Sequence, residues 1–467
     1  MRPFRSDFGL PFYNIRFTLN ASMKYLLPLV GLLLTAAPLQ AASEWPRFRG
    51  PAANGTVPDD PRLPVRWSQT ENVLWKTDIK GLGWSSPVVT GNRVFLTGVY
   101  SDQDGDNEQP KAGLYLGQGR QEIPKGTHHW LTYCLDLQSG RVLWKQEAHQ
   151  GSPPVGRHPK STYAAETSAT DGQQVFVLFG DVGLFAYDLD GKLLWSRPIA
   201  AKKTMSDYGA AGSPIVHDGQ VIVVYDNQEE SYIAAYDASS GKENWRKSRE
   251  EKSTWATPFI WQNPQRTELI VSGKNRIRSY DLQGNVLWEI SGRMSNLIIP
   301  SPFAAHGLLY VTSGYFADPH RPVYAIRPGG RGDISLKQDE TSNEFIAWYL
   351  PKDGPYNTSP MVHGDNYYTL LDRGMMSAHD ARTGRMLYDR ERFPVGASFT
   401  ASPWAYNGKV FCLNEEGKTY VLTEGGKFNI EHTNDLDGLC LATPAIADGK
   451  LLIRTSGRLY CLTRLKP

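Results

Sequence analysis

A short motif recurs along this chain of 467 residues: serine or threonine, then proline, then an apolar residue. The first copy is "SSPVV" at 85–89, and "ETSAT" at 166–170 is interpreted as a degenerate copy with Ala169 in place of proline. The prolines of the other copies are Pro214, Pro258, Pro302, Pro360, Pro403 and Pro444. Most copies follow one another at 41 to 45 residues, a period typical of one four-stranded β-propeller blade. The chain is therefore predicted to be all-β.

A second marker lies between the copies of this motif. It is seen in "AYDLDGKLLW" (186–195), "AYDASSGKENW" (235–245) and "SYDLQGNVLW" (279–288), where a strand ends in Asp, a turn contains Gly, and a further strand ends in Trp. Asp and Gly are the residues of tight hairpins, so we assign Asp136, Asp188, Asp237 and Asp281 to turns. The tryptophans are interpreted as packing residues.

The number of units predicts how the ring closes. The proline motif has eight copies, but the chain ends at "GRLYCLTRLKP", after the third strand of the last unit. The missing fourth strand is "ENVLWKTDI" (71–79), which carries Trp75 and precedes the first motif. An eight-bladed β-propeller over residues 71–467, closed by this N-terminal outer strand, removes free edges. Residues 43–70 are then an extended lead-in, and insertions at 100–130 and 317–343 are expected at the rim.

Residues 1–42 are interpreted as an N-terminal extension with a signal peptide. Met23–Ala42 has one lysine, a leucine-rich run and small residues at its end, the pattern of secretion. Met23 is an alternative start, and a membrane anchor is the weaker reading because the apolar run is short. The mature chain is thus expected in the periplasm or outside the cell, without a transmembrane segment. Its cysteines lie in apolar strand contexts and are read as buried thiols, with disulfides left open: Cys134, Cys412, Cys440 and Cys461.

Composition argues against nucleic acid as a partner. The formal net charge is +2, charged residues make up 21% of the chain, and no run of Lys and Arg stands out. Binding to phosphate backbones needs a concentrated basic surface. A protein, an envelope component or a small ligand is the expected partner.

The channel of such a ring is expected to be lined by the residues three positions before each marker. These are Trp84, Glu166, Ala211, Trp255, Ile299, Asn357, Thr400 and Leu441. Glu166 and Asn357 carry oxygens that suit a hard cation, but they belong to blades on opposite walls. Two polar residues in a water-filled channel are therefore favoured, and no metal site is predicted.

Aromatic residues near the markers are candidates for ligand contact. Trp84 and Trp255 could stack on a planar ligand, with wedge packing as the alternative. Tyr163 and Tyr208, six residues before their markers, suit the recognition of a sugar or a peptide. No catalytic residues are predicted, because the sequence contains no nucleophile elbow before a helix. His128 and His129 are expected to be solvated, and Asp435 and Asp437 to lie in a capped turn.

The Asp-Gly turns, the "GKLLW" strand ends and the Ser-Pro starts resemble the pyrroloquinoline-quinone-like propeller repeat. The lead-in from "WPRFRGPAANG" to "GWSSPVV" is similar to secreted members akin to the propeller subunit of the outer-membrane β-barrel assembly machinery. The resemblance runs from Trp45 to the C-terminus and implies two functions. One is a non-catalytic scaffold that binds proteins. The other is a quinoprotein oxidoreductase for alcohols or sugars, in which Glu166 and Asn357 would hold calcium beside pyrroloquinoline quinone. The absence of a Cys-Cys pair and of a haem motif favours the scaffold.

Overall fold

The computed structural model describes Met1 and residues 44–113, 115, 117 and 122–465. Apart from Met1, these residues belong to one compact unit, Ala42–Pro467. The predicted signal peptide, Met23–Ala42, lies outside the described residues. No helix within the described part of the chain has the length and hydrophobicity needed to cross a membrane.

The described chain contains thirty-three strands and two short 3-10 helices, Asp104–Asn107 and Met205–Asp207. Blade 1 consists of β2 (Val88–Thr90), β3 (Arg93–Ser101), β4 (His128–Asp136) and β5 (Val142–Gly151), and blade 2 of β6 (Ala169–Thr170), β7 (Gln174–Phe179), β8 (Gly183–Asp188) and β9 (Leu193–Pro198). Blade 3 consists of β10 (Ile215–His217), β11 (Gln220–Tyr225), β12 (Tyr232–Asp237) and β13 (Glu243–Ser248), and blade 4 of β14 (Phe259–Gln262), β15 (Thr267–Val271), β16 (Arg276–Tyr280) and β17 (Val286–Ser291). Blade 5 consists of β18 (Phe303–Ala305), β19 (Leu308–Thr312), β20 (Val323–Ile326) and β22 (Ile346–Leu350), and blade 6 of β23 (Met361–His363), β24 (Asn366–Leu371), β25 (Met375–Asp380) and β26 (Met386–Arg392). Blade 7 consists of β27 (Trp404–Tyr406), β28 (Lys409–Leu413), β29 (Lys418–Thr423) and β30 (Ile430–Asp435). Blade 8 consists of β31 (Ala445–Ala447), β32 (Lys450–Arg454), β33 (Arg458–Leu462) and the N-terminal β1 (Val73–Asp78). A further strand, β21 (Gly332–Asp333), adds to the outer edge of blade 4.

These sheets confirm the predicted eight-bladed β-propeller and its mode of closure. The last blade has the strand order β1-β33-β32-β31. β1 runs antiparallel to β33, with Trp75 opposite Cys461 and Val73 opposite Leu462. The outer strand of blade 8 therefore comes from the start of the chain, as the repeat count predicts.

The second marker holds neighbouring blades together at the outer side of the ring. The indole Nε1 of Trp195 in blade 2 donates to the carbonyl of Ala238 in blade 3, at 2.9 Å. Its ring covers Gly241, where an added Cβ would lie 2.5 Å from the indole. Four other tryptophans repeat both contacts on the next hairpin of the ring: Trp75, Trp144, Trp245 and Trp348. The packing role predicted for these residues is thus a joint between blades.

The proline motif forms a second joint, on the inner side of the ring. From blade 1 to blade 7, the backbone N–H of the motif Ser or Thr donates to the hydroxyl of its counterpart in the following blade, at 2.9 to 3.2 Å. Seven hydroxyls accept such a bond, and we call them the hydroxyl ring: Thr167, Ser213, Thr257, Ser301, Ser359, Ser402 and Thr443. Proline follows because the next position needs no N–H donor. This explains why the motif is repeated.

The lead-in crosses the end of the ring at which the innermost strands finish. Trp45 pairs with Val89 of blade 1. Asn54 exchanges two hydrogen bonds with the backbone of Val362 in blade 6, at 2.8 and 2.9 Å. The chain then pairs with Ala405 of blade 7 before it enters β1. The lead-in also bonds Thr170 of blade 2 through the carbonyl of Pro46. Its contacts thus run from blades 1 and 2 to blades 6 and 7, so the lead-in crosses this end of the channel.

The two insertions and the cysteines add detail to the predictions. The insertion at 100–130 does not form only a rim loop, because it lengthens β3 and β4 to nine residues each. His128 and His129 lie on β4 and are buried, so the expected solvated pair is wrong. All four cysteines are free and buried, as expected. Burial raises the pKa of the Cys134 thiol to about 12, which keeps it protonated.

Candidate functional site

A cavity of about 240 Å³ lies at the centre of the ring. Seven of the eight predicted channel positions line it, namely Trp84, Ala211, Trp255, Ile299, Asn357, Thr400 and Leu441. All members of the hydroxyl ring line it as well. Phe48 of the lead-in also lines the cavity. The cavity therefore has a mouth near Trp84 and Trp255 and a floor at Phe48.

The prediction for blade 2 is corrected by one residue. Ala165, not Glu166, is the channel-lining residue of this blade. Thr167 bonds Ser86 in the place of a motif hydroxyl, so Ser168 corresponds to the proline. The following strand begins its buried face at Val175, which is seven residues after Ser168, as Val94 is seven after Pro87. This spacing, shared by blades 1 and 2, is the sequence signal that identifies the correct register.

Glu166 lies behind the channel wall, in a small separate cavity that also contains Tyr163 and Asp181. Its Oε1 accepts the backbone N–H of Gly180 at 3.0 Å. Burial raises the pKa of Glu166 to about 8 and that of Asp181 to about 6. Glu166 is therefore protonated at neutral pH and does not share a site with Asn357. Tyr163 donates its hydroxyl to the carbonyl of Val155 and does not line the central cavity.

Aromatic side chains surround the mouth of the central cavity. The indole Nε1 of Trp84 donates to the carbonyl of Lys160, and that of Trp255 to the carbonyl of Gly209, both at 2.8 Å. These hydrogen bonds hold both indole rings in place. Tyr208 lines the cavity and meets the ring of His158 edge to face, with centroids 4.6 Å apart. Such rings can contact a flat ligand or a sugar face.

Two residues of the connection between blades 1 and 2 contribute polar groups that repeat analysis did not find. The Nδ1 of His158 accepts the backbone N–H of Lys160 at 3.1 Å. Burial, with Lys160 and Arg157 nearby, lowers the pKa of His158 to about 4. The Nζ of Lys160 lies 2.6 Å from Oε1 of Glu415 in blade 7. This ion pair, in which Glu415 is buried and Lys160 nearly so, joins the connection between blades 1 and 2 to blade 7.

The described lining of the cavity contains no Asp, Glu or Cys. Among the described residues, no group of three or more His, Cys, Asp or Glu side chains is placed to hold a metal ion. Asp437 accepts hydrogen bonds from Arg458 and Tyr460, which accounts for it as a structural residue. The cavity can therefore bind by stacking and by hydrogen bonds, and it offers few groups for chemistry.

Residues 56–254, 127–390 and 229–465 each match a family model described as outer membrane protein assembly factor BamB. The chain belongs to this family. BamB of Yersinia pestis is 22% identical over 356 residues, which cover 72% of this chain and 80% of that protein. The BamB crystal structure from Moraxella catarrhalis has a TM-score of 0.50 at 14% identity and covers 79% of this chain and 99% of that one. That likeness concerns the fold alone.

A dehydrogenase shares part of the sequence of this BamB-family chain. The quinohemoprotein alcohol dehydrogenase ADH-IIG of Pseudomonas putida is 31% identical over 120 residues, which are 25% of this chain and 16% of that enzyme. The match thus spans about a sixth of the dehydrogenase. Calcium requires several oxygen ligands, usually with carboxylates. The lining offers Asn357 and hydroxyls, while Glu166 lies outside it and is protonated. These residues do not fit a quinone held with calcium.

Proposed function

We propose that this chain is a non-catalytic propeller scaffold of the cell envelope that binds a protein partner. The observation that supports the absence of catalysis is the chemistry of the central cavity, whose described lining contains neither a carboxylate nor a thiol. His158 also lines the cavity and is a candidate general base, but its Nδ1 lone pair already accepts the backbone N–H of Lys160. A histidine in this state carries its proton on Nε2 and can donate but not abstract.

The kind of partner follows from the relatives. The family model spans most of the propeller, and its description names outer membrane protein assembly. The match to the Yersinia pestis relative covers 72% of this chain and 80% of that protein. We infer that this chain likewise binds a component of an assembly machinery at the outer membrane. The pattern at Met23–Ala42 supports secretion, and hence a periplasmic or extracellular location.

Site-specific photocrosslinking in the native envelope tests this function. A photoreactive residue is placed at Leu143 or Leu194 on the outer strands, or at Val395, all of which are exposed. A buried position, Leu452, serves as the matched control. One discrete crosslinked protein from a subset of the exposed positions supports the scaffold. Crosslinks equal to those of the buried control would contradict it.

A second candidate function is the quinoprotein oxidoreductase, which is favoured by the 31% identical segment. Its test combines the purified full-length chain with pyrroloquinoline quinone, with and without calcium, and a primary alcohol with a redox dye. The scaffold predicts no calcium-dependent binding of the quinone and no dye reduction. Alcohol-dependent dye reduction that needs calcium would replace the scaffold by the enzyme.

A further inference from the structure

The hydroxyl ring has an uneven balance of hydrogen-bond donors and acceptors. Each of its seven oxygens accepts a backbone N–H from the neighbouring blade. A hydroxyl has one proton to donate in addition to its lone pairs. In the hydrogen bonds of the described residues, none of these seven protons is given to a protein acceptor. All seven side chains are more than nine-tenths buried and line the cavity. The ring therefore presents O–H donors towards the channel axis.

Several other polar groups of the cavity also favour a ligand that accepts hydrogen bonds. His158 keeps its proton on Nε2, because Nδ1 is occupied as an acceptor. The indole groups of Trp84 and Trp255 already donate to backbone carbonyls and place no acceptor in the cavity. The carboxylate of Glu415 is taken up by Lys160 and by the hydroxyl of Thr400, at 2.6 Å each. Asn357 and Tyr208 can donate or accept, so a ligand in this cavity meets more available donors than obligate acceptors.

The floor adds positive charge. Arg47 and Arg49 flank Phe48 in the lead-in, and Arg49 is 1% exposed. Arg49 donates from Nη2 to the carbonyls of Asn54 and Pro360, while its Nε and Nη1 have no hydrogen-bond partner. Its guanidinium lies over the Phe303 ring, 5.5 Å from the centroid. Neither arginine forms an ion pair with a described carboxylate. Neither arginine lines the cavity, so both act on it only as charges behind Phe48. Burial lowers the pKa of Arg49 to about 9, because a buried charge without a counter-charge is unfavourable, and a nearby anion would stabilise the charged form.

We propose that the central cavity binds an oxyanion, with the anionic oxygens against the hydroxyl ring and above the arginine-flanked floor. Inorganic phosphate or sulfate and the carboxylate of a small organic acid share this chemistry. Charge-assisted hydrogen bonds from several fixed donors are the strong kind. The aromatic mouth leaves space for a ring attached to the anionic group. This inference goes beyond the proposed scaffold function, which does not require a ligand in the channel.

Isothermal titration calorimetry on the full-length chain tests the proposal. Sodium phosphate, sodium sulfate and sodium benzoate are titrated separately at constant ionic strength, with sodium chloride as the reference. Saturable binding of one anion per chain by any of the three supports the site. Benzoate alone would identify an organic acid as the ligand class, and phosphate or sulfate would identify an inorganic ion. No saturable binding of any of them at millimolar concentrations would overturn the proposal.

Two matched pairs of variants connect the binding to this cavity. Ala211 lines the cavity and lies outside the hydroxyl ring. Ala211→Asp adds a negative charge and is expected to weaken binding at least tenfold at pH 7.5, which is about 1.4 kcal/mol. Ala211→Asn adds a similar volume without the charge, and its affinity is expected to stay within about threefold of the wild type. Equal affinities for the two variants would overturn the site.

The second pair removes one donor from the ring. Thr257→Val keeps the shape but loses the hydroxyl, and Thr257→Ser keeps the hydroxyl. Binding is expected to weaken several-fold in the first and to be retained in the second. Thermal unfolding checks that both variants fold. An effect of the same size in both variants would contradict a role for the hydroxyl. None of these outcomes depends on calcium or on a crosslinked partner, so failure of this proposal is distinguishable from failure of the scaffold function.

Discussion

Trp75 lies opposite Cys461 in the outermost strand pair of the last blade. The indole Nε1 of Trp75 donates to the carbonyl of Leu137 in blade 1 at 2.9 Å. One side chain thus completes blade 8 and joins it to blade 1.

The first prediction concerns this closure. Trp75→Ala removes a buried indole and the inter-blade hydrogen bond, and we expect the free energy of unfolding to fall by about 3–5 kcal/mol. The adjacent Leu74 is 37% exposed, so Leu74→Ala should cost less than about 1 kcal/mol. Urea unfolding followed by tryptophan fluorescence measures both. Similar losses for the two variants would show that the joint is not at Trp75.

The second prediction separates packing from backbone strain at the hairpin glycines. Gly241 and Gly219 both have left-handed backbones, with φ of 65° and 69°. A Cβ on Gly241 would overlap the Trp195 ring, whereas one on Gly219 has no neighbour within 4 Å. Gly219→Ala should cost about 1–2 kcal/mol, and Gly241→Ala a further 1–3 kcal/mol or so from overlap. Thermal unfolding compares them, and equal shifts of the midpoint would argue against the Trp195 contact.

The third prediction concerns the ion pair at the mouth. Lys160→Met leaves the carboxylate of Glu415, which is 1% exposed, without its cation. Breaking a buried pair in this way costs about 3–5 kcal/mol, and Glu415→Gln in the same chain should recover part of it. The more exposed pair of Lys409 and Glu431, whose side chains are 25% and 29% exposed, is the control, and Lys409→Met should cost about 0–1 kcal/mol. Chemical unfolding measures each variant, and a loss no larger than that of the control would contradict the role of this pair.

The fourth prediction concerns pH. The pKa of Glu166 is raised by burial to about 8, and an unfolded glutamate titrates near about 4.3. Between these values the folded state keeps a proton that the unfolded state has released, so this group lowers the free energy of unfolding as pH rises. Glu166→Gln retains an acceptor for Gly180 and removes the titration. Its stability relative to the wild type should therefore increase from pH 5 to pH 8.

Urea unfolding at unit steps of pH measures this difference. Glu431→Gln is the control, because hydrogen bonds from Lys409 and Thr423 lower the pKa of Glu431. Its contribution is lost only as pH falls through the acidic range, so this variant should differ from the wild type by a constant amount between pH 5 and pH 8. A constant difference for Glu166→Gln as well would mean that its carboxyl is ionised in the folded protein.

The periodic part of the structure could be predicted from the sequence. Eight blades, the closing strand with Trp75 and the hairpin role of residues such as Asp237 follow from features that repeat every blade. The position of Glu166 could not be inferred from its motif alone, because blade 2 lacks the proline that marks the register. Aligning on the spacing to Val175 would have placed Ala165 in the channel.

Contacts made by residues outside the repeated motifs could not be predicted, for a physical reason. Lys160 and Glu415 are far apart in the sequence, and only the closure of the ring brings them together. Phe48 precedes the first repeat and reaches the cavity because the lead-in crosses the channel. Residues that belong to no repeat have no counterpart in other blades, so comparison between blades gives no signal for them.

The pairing of β1 with β33 also determines when this molecule can be finished during its synthesis. Asp78 contacts Arg458, which emerges from the ribosome 380 residues later. Until then the ring is incomplete and β1 lacks its partner strand. An unpaired strand readily pairs with other chains. Any factor that shields this strand until the last residues arrive will therefore raise the yield of closed rings.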